Sequence, residues 1–172
     1  MENSMNVNLV PLFQFAAVLL TGLVAGLFYG YDCSVVKGLG ALKDDAYLQS
    51  FQSINRIIQN PVFFLSFMGC LLVLPFATWL SFKYASPATF YLLLAATIVY
   101  VLAVFGVTIF GNVPLNGQLA KFSISSANES EIASMRKLFE NPWNTFHSIR
   151  TVAAIMAFSL TIIALLKLKF NS

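Results

Sequence analysis

One histidine, two arginines, a tryptophan and a scatter of asparagines carry most of the chemistry this sequence can offer. Trp143, His147 and Arg150 are spaced i, i+4 and i+7, so on a helix they share a face; Asn144, His147 and Thr151 share an overlapping one. Gln52, Asn55, Arg56 and Gln59 fall at i, i+3, i+4 and i+7, with Asn60 next in line. Thr108 and Asn112 stand one helical turn apart, and Asn116 follows beyond Pro114. A histidine titrates near working pH and suits proton transfer. Guanidinium groups in an apolar setting hold a developing oxyanion. The amides can orient carbonyl and hydroxyl groups, and Trp143 can stack on a flat ring.

Other chemistries find no support. Cys33 and Cys70 lie in different segments and form neither a redox nor a metal-binding spacing, so they read as buried small hydrophobes. A lone His without a nearby pair of carboxylates makes a poor metal site. No glycine-rich phosphate cradle or nucleophile–base triad is present. Each site residue also has a plainer role: Asn60 and Asn141 as helix caps, Asn112 as the close of a helix, Arg56 and Arg150 snorkelling to lipid phosphates. Taken together those roles weaken, because hydrophobic helices have no need to gather two Arg, a His, a Trp and several amides at one end.

The elements that must position these residues are set by composition. Of 172 residues, 58% are hydrophobic and 10% charged, and the mean hydropathy is +0.77. A soluble domain carries about a quarter charged residues, so a soluble enzyme, a disordered tail and a nucleic-acid binder are excluded. The net charge of +3 contains no Lys/Arg run that would contact nucleic acid. Charge-free windows at 3–31, 57–82, 84–120 and 151–166 predict an integral membrane protein with one transmembrane domain over residues 1–172. Its four helices are expected at about 9–33, 61–82, 88–111 and 144–168, since about 20 apolar residues cross a bilayer. The first window is too long for a cleaved leader and lacks a basic start.

Asn60-Pro61, Ser86-Pro87 and Asn141-Pro142 each place an N-cap before a proline at the first helical position. Asp44–Gln59 reads as an interfacial amphipathic helix, with an apolar stripe of Phe51, Ile54, Ile57 and Ile58. A short helix at about Glu129–Phe139 is expected in the long loop before the last span. Asn112–Asn116 is expected to end the third helix at Pro114. The predicted architecture is an all-α, up-down-up-down four-helix bundle. Both long connections then emerge on one side as a lid, where the polar clusters Tyr29/Tyr31/Asp32, Gln52–Asn60, Asn112–Asn116 and Trp143–Arg150 converge. Seven basic and six acidic residues lie on that side. Counting all Lys and Arg places it in the cytoplasm, whereas the short-loop form of the rule places the termini there. Gly22, Gly26 and Gly30 make two GxxxG steps, open to two readings: packing inside the bundle, or a homo-oligomer face.

Three stretches together resemble the anthrone oxygenase-like family of small four-helix membrane proteins. They are Gln52-Ser-Ile-Asn55-Arg56-Ile-Ile-Gln-Asn60-Pro61, Thr108-Ile-Phe-Gly-Asn112-Val-Pro-Leu-Asn116, and Trp143-Asn144-Thr-Phe-His147-Ser-Ile-Arg150-Thr151. They come in the family's order and the resemblance covers essentially the whole chain. It implies oxygenation without metal or flavin: a hydrophobic aromatic substrate loses a proton and its enolate reacts with O2 as co-substrate. His147, Arg150 and Arg56 are then the expected catalytic residues, with His147 as base and the arginines holding anions. Asn55, Asn60, Asn112, Asn116, Trp143 and Asn144 are the expected substrate contacts. A multi-pass protein of the cell membrane fits this reading. The competing reading is a non-catalytic membrane protein that binds or passes a small amphiphile. A structural subunit packing through its glycines would leave the polar residues unexplained.

Overall fold

The computed structural model describes residues 2–168, with side chains from Leu9 onward. Glu2 and Lys169, which enter the charge balance, have side chains outside that range. Helix α1 runs from Glu2–Gly30 through a π-helical turn at Tyr31–Val35 into Val36–Gly40. Helix α2 is Asp44–Ile57 and α3 is Pro61–Tyr84. Helix α4 is compound: Pro87–Val99, π-helical Tyr100–Gly106 and Thr108–Asn112, then Val113–Lys121. A 3-10 turn at Ile124–Ser126 leads to α5, Glu129–Leu166.

Helices α1, α3, α4 and α5 are each long and apolar enough to cross a membrane. α1 packs on α3 and α5, and α4 packs on the same two. That closes the expected all-α four-helix bundle with its up-down-up-down course. The chain is an integral membrane protein. Its central core joins Val24, Phe28, Phe67, Leu74, Tyr100 and Ala154. Two buried polar donors in the bundle find acceptors: Gln14 Nε2 donates to Ser81 Oγ at 3.1 Å, and Tyr100 donates to the Phe67 carbonyl at 2.8 Å. In an apolar interior such pairing avoids the cost of an unmade hydrogen bond.

Two of the three proline starts hold. Asn60 Oδ1 accepts from the Phe63 amide at 3.0 Å, with Pro61 opening α3, and Ser86 caps α4 ahead of Pro87. The third does not. Asn141 and Pro142 lie inside α5, whose start is an Asn128–Glu131 capping box. The expected short helix at 129–139 and the last span are therefore one 38-residue helix. Nor does Pro114 end α4. The chain passes it after the π turn at Thr108–Asn112 and continues helical to Lys121. A wide turn relieves the clash of a proline ring with the preceding carbonyls, and membrane helices tolerate such adjustments. α1 likewise continues beyond its expected end, to Gly40.

These extensions convert the predicted loop lid into a helical cap. At 1.5 Å per residue α5 is about 57 Å long, against about 30 Å of hydrocarbon. The surplus of α1, α4 and α5 packs with α2 around Tyr47, Leu48, Phe51, Leu119, Phe139 and Trp143. α2 is amphipathic as expected, but its buried stripe is Tyr47, Leu48 and Phe51, and Ile57 is 69% exposed. Arg136 fastens the cap. It donates to Glu140 and Asp44 at 2.8 and 2.9 Å, and to the Gly40 and Leu42 carbonyls at 2.9 and 2.7 Å. Its guanidinium also lies 4.4 Å over the Tyr47 ring.

Candidate functional site

A cavity of about 530 Å³ lies between the bundle core and the cap core. All five helices line it. Phe28 and Tyr31 come from α1, Asn55 and Arg56 from α2, Phe63 and Phe67 from α3, Thr108 and Asn116 from α4, and Trp143, His147 and Arg150 from α5. α3 packs on Pro87–Val99 and Tyr100–Gly106 of α4, and the two helices part beyond that point. Phe64 and Met68 on one side and Ile109 and Val113 on the other rim this slot, all exposed and all lining the cavity.

Arg150 sits in the wall of the cavity, 8% exposed. Its guanidinium lies 4.6 Å from the Phe28 ring and 5.1 Å from the Trp143 ring. Nε donates to His147 Nδ1 at 3.2 Å, and a terminal nitrogen donates to Thr108 Oγ1 at 3.4 Å. Among the described residues no carboxylate forms an ion pair with it. A buried charge is stable when it is paired. Here aromatic faces and two neutral acceptors surround the cation.

The His147 ring is wedged between Tyr31, at 5.2 Å, and Trp143, stacked at 5.0 Å. An arginine Nε always carries hydrogen, so Nδ1 is the accepting nitrogen and the neutral ring bears its proton on Nε2. That Nε2 is buried without a hydrogen-bond partner, 4.0 Å from Asp32 Oδ1 and with the Phe28 main-chain carbonyl beside the ring. Trp143 is oriented by its own bond, Nε1 to Asn116 Oδ1 at 2.8 Å. Gln52 ties the α2 roof to the end of α4, donating to the Leu119 and Phe122 carbonyls at 2.8 and 2.9 Å.

Six of the nine expected site residues line the cavity: His147, Arg150, Arg56, Asn55, Asn116 and Trp143. Arg56 is exposed there, whereas Arg150 is buried. Three do not line it. Asn60 is occupied as the cap of α3. Asn112 is fully buried and donates to the Trp143 carbonyl at 3.2 Å, joining α4 to α5. Asn144 is half-buried with an unpartnered Oδ1. Phe28 was not expected at the site; Tyr31, with Asp32, was expected on this face of the bundle but without a role, and it lines the cavity. Tyr31 OH and Asn55 Nδ2 are buried and unpartnered, two polar atoms available to a ligand. Among the described residues no three His, Cys, Asp or Glu side chains gather as a metal site would require.

The glycine steps divide. A Cβ on Gly22 would meet Phe158 at 2.9 Å, so it packs inside the bundle, whereas Gly26 and Gly30 face open space. In the cap, burial and the nearby Glu140 carboxylate raise the Tyr47 phenol above its ordinary pKa, and Arg136 pulls the other way.

No curated protein and no solved structure matches the chain. The profile of the family described as anthrone oxygenase matches residues 59–160, from the link between α2 and α3 through most of α5. Tyr31, Asp32, Asn55 and Arg56 precede the matched segment. With more than half of the sequence matched, on a four-helix apolar bundle, the chain belongs to the anthrone oxygenase family.

Proposed function

We propose that the protein is an oxygenase of the cell membrane, oxidising a hydrophobic aromatic substrate of the anthrone type with O2 and needing neither metal nor flavin. One observation carries the reading: Arg150, buried and without a carboxylate partner, hydrogen-bonded to the lone pair of His147. Such a cation stabilises an anion that forms during reaction more than the neutral ground state, which is what accelerates a chemical step.

The reaction begins when His147 takes a proton from the activated methylene and the electron pair stays on the substrate as an enolate. Nδ1 becomes free for this as the Arg150 guanidinium turns from the ring to the new oxyanion. The enolate reduces O2 and forms a carbon–oxygen bond, giving a peroxide anion that recovers the proton from His147. Loss of the second C–H proton and cleavage of the O–O bond then leave a carbonyl and water. One O2 is consumed, one oxygen atom enters the product, and the other leaves as water. Trp143 and Tyr31 line the wall beside the ring system, Asn116 keeps Trp143 in place, and Asn55 and Arg56 meet the end of the substrate nearest α2.

Purified protein incubated aerobically with a simple anthrone is expected to form the quinone. His147→Ala should lower kcat by about 10²–10⁴-fold, the range for loss of a general base. Absence of quinone, with saturable binding that depends on Arg56 and Arg150, would establish the second reading of a non-catalytic binding protein. The unpartnered Tyr31 hydroxyl and Asn55 amide favour that reading, since both can recognise a ligand without converting it.

A further inference from the structure

Asp32 is missing from the cavity wall, yet its carboxylate stands 4.0 Å from the His147 ring that lines it. It belongs to the π-helical turn Tyr31–Val35 of α1. That turn points Tyr31 into the cavity and leaves Asp32 outside it, where its side chain is 40% exposed. There Oδ1 accepts from Ser148 Oγ at 3.3 Å and stands 4.0 Å from His147 Nε2. Among the described residues it is the one carboxylate paired with either His147 or Arg150; Asp44 and Glu140 are taken by Arg136.

The two nitrogens of the His147 ring are thereby assigned. Nδ1 carries the lone pair, toward Arg150, and Nε2 carries the hydrogen, toward Asp32. A ring that takes a proton at Nδ1 becomes a cation beside a guanidinium, with Tyr31 above it and Thr108 beyond Arg150 as neutral neighbours. That arrangement is costly unless a negative charge approaches. Asp32 has the reach, and its exposure gives the side chain room to close the remaining distance to a hydrogen bond.

We propose that Asp32 is a positioning residue for His147: its carboxylate holds the Nε2–H and balances the imidazolium that forms when Nδ1 accepts the substrate proton. The logic is that of a carboxylate orienting a catalytic histidine. Here the carboxylate comes from α1, outside the segment matched to the family. No atom is consumed: the proton moves from carbon to Nδ1 and returns to the peroxide, and Asp32 remains a carboxylate. The catalytic part of the inference rests on the oxygenase reading, but the contact itself does not.

Two measurements test it on the full chain in lipid nanodiscs. The chain has a single histidine, so a protein labelled with ¹⁵N at the imidazole ring gives one set of ring signals. The Nε2-bound proton is expected downfield in the parent and shifted upfield in Asp32→Asn; an unchanged resonance overturns the inference. With an anthrone as probe, Asp32→Asn should lower kcat about 10–100-fold, as loss of an orienting partner commonly does. KM should stay within about twofold, and Asp32→Glu should restore most of kcat, as expected for a partner that acts through His147 and not through the substrate. An unchanged kcat in Asp32→Asn, or an equal loss in Asp32→Glu, overturns the role. If neither the parent nor any variant turns over, the oxygenase reading fails, and the ring spectrum still decides whether Asp32 holds His147.

Discussion

Arg150 concentrates several demands in one side chain. Its fork donates at once to His147 and Thr108 while lying against two aromatic faces. A lysine keeps the charge but can supply neither the planar stack nor two fixed directions. Arg150→Lys is therefore expected to fold and still to lose about 10²–10³ in kcat, the scale for removing an oxyanion donor. Rates measured beside ligand-binding titrations would check this, and equal losses in kcat and affinity would point to simple recognition. Tyr47 offers the opposite case. Its buried hydroxyl has no partner, so Tyr47→Phe should leave stability unchanged or raise it by about 1 kcal/mol. Its folded pKa lies above the ordinary value of 10.0, so its contribution is fully present below that pH. It declines above pH 10 as the unfolded chain ionises first. Melting curves from pH 8 to 11 should show a smaller loss in Tyr47→Phe than in the parent.

At the scale of elements, small residues and single clasps decide how helices meet. A Cβ on Gly111 would sit 2.7 Å from the Phe146 ring. Gly111→Ala should thus push α4 from α5 and cost about 1–3 kcal/mol, typical of overpacking. It should also disturb the neighbouring Asn112–Trp143 bond. Arg136 joins α1, α2 and α5 through charged hydrogen bonds, and Arg136→Met should cost on the order of 2–3 kcal/mol in thermal unfolding. These helices were legible in the sequence where the signal was local. The charge-free windows marked the spans, and Asn60-Pro61 and Ser86-Pro87 marked two starts. Asn141-Pro142 carries the same dipeptide and misleads, because whether a proline begins a helix or rides inside one depends on what precedes it. Before Pro61 the chain is extended at Asn60; before Pro142 it has been helical since Glu129. The π turns at Tyr31 and Thr108 were invisible for a related reason. No composition marks them, yet they direct Tyr31 inward, place Asp32 beside His147 and carry α4 past Pro114. The α5 side of the site was readable from the spacing of Trp143, His147 and Arg150. On the α1 side, the end of the apolar run placed Tyr31 and Asp32 on the same face, but not which of them enters the cavity.

For the whole molecule, the arrangement is a cavity held between two cores, one in the bundle and one in the cap, with an apolar slot where α3 and α4 part. Its rim of Phe64, Met68, Ile109 and Val113 bears no charge, which suits contact with acyl chains rather than water. In a Trp79→Phe background, Trp143 is the remaining indole, and lipids brominated along the acyl chain should quench it by contact through the slot. Lipids brominated at the headgroup should quench it less; the reverse order would mean that the cavity communicates with water through the cap. On the proposed oxygenase reading, the slot also determines which concentration the protein responds to. A substrate that arrives sideways is drawn from a two-dimensional solution, so its availability follows mole fraction in lipid, not molarity in the sample. Doubling the lipid at fixed total substrate should then halve a subsaturating rate, while doubling both together should leave it unchanged.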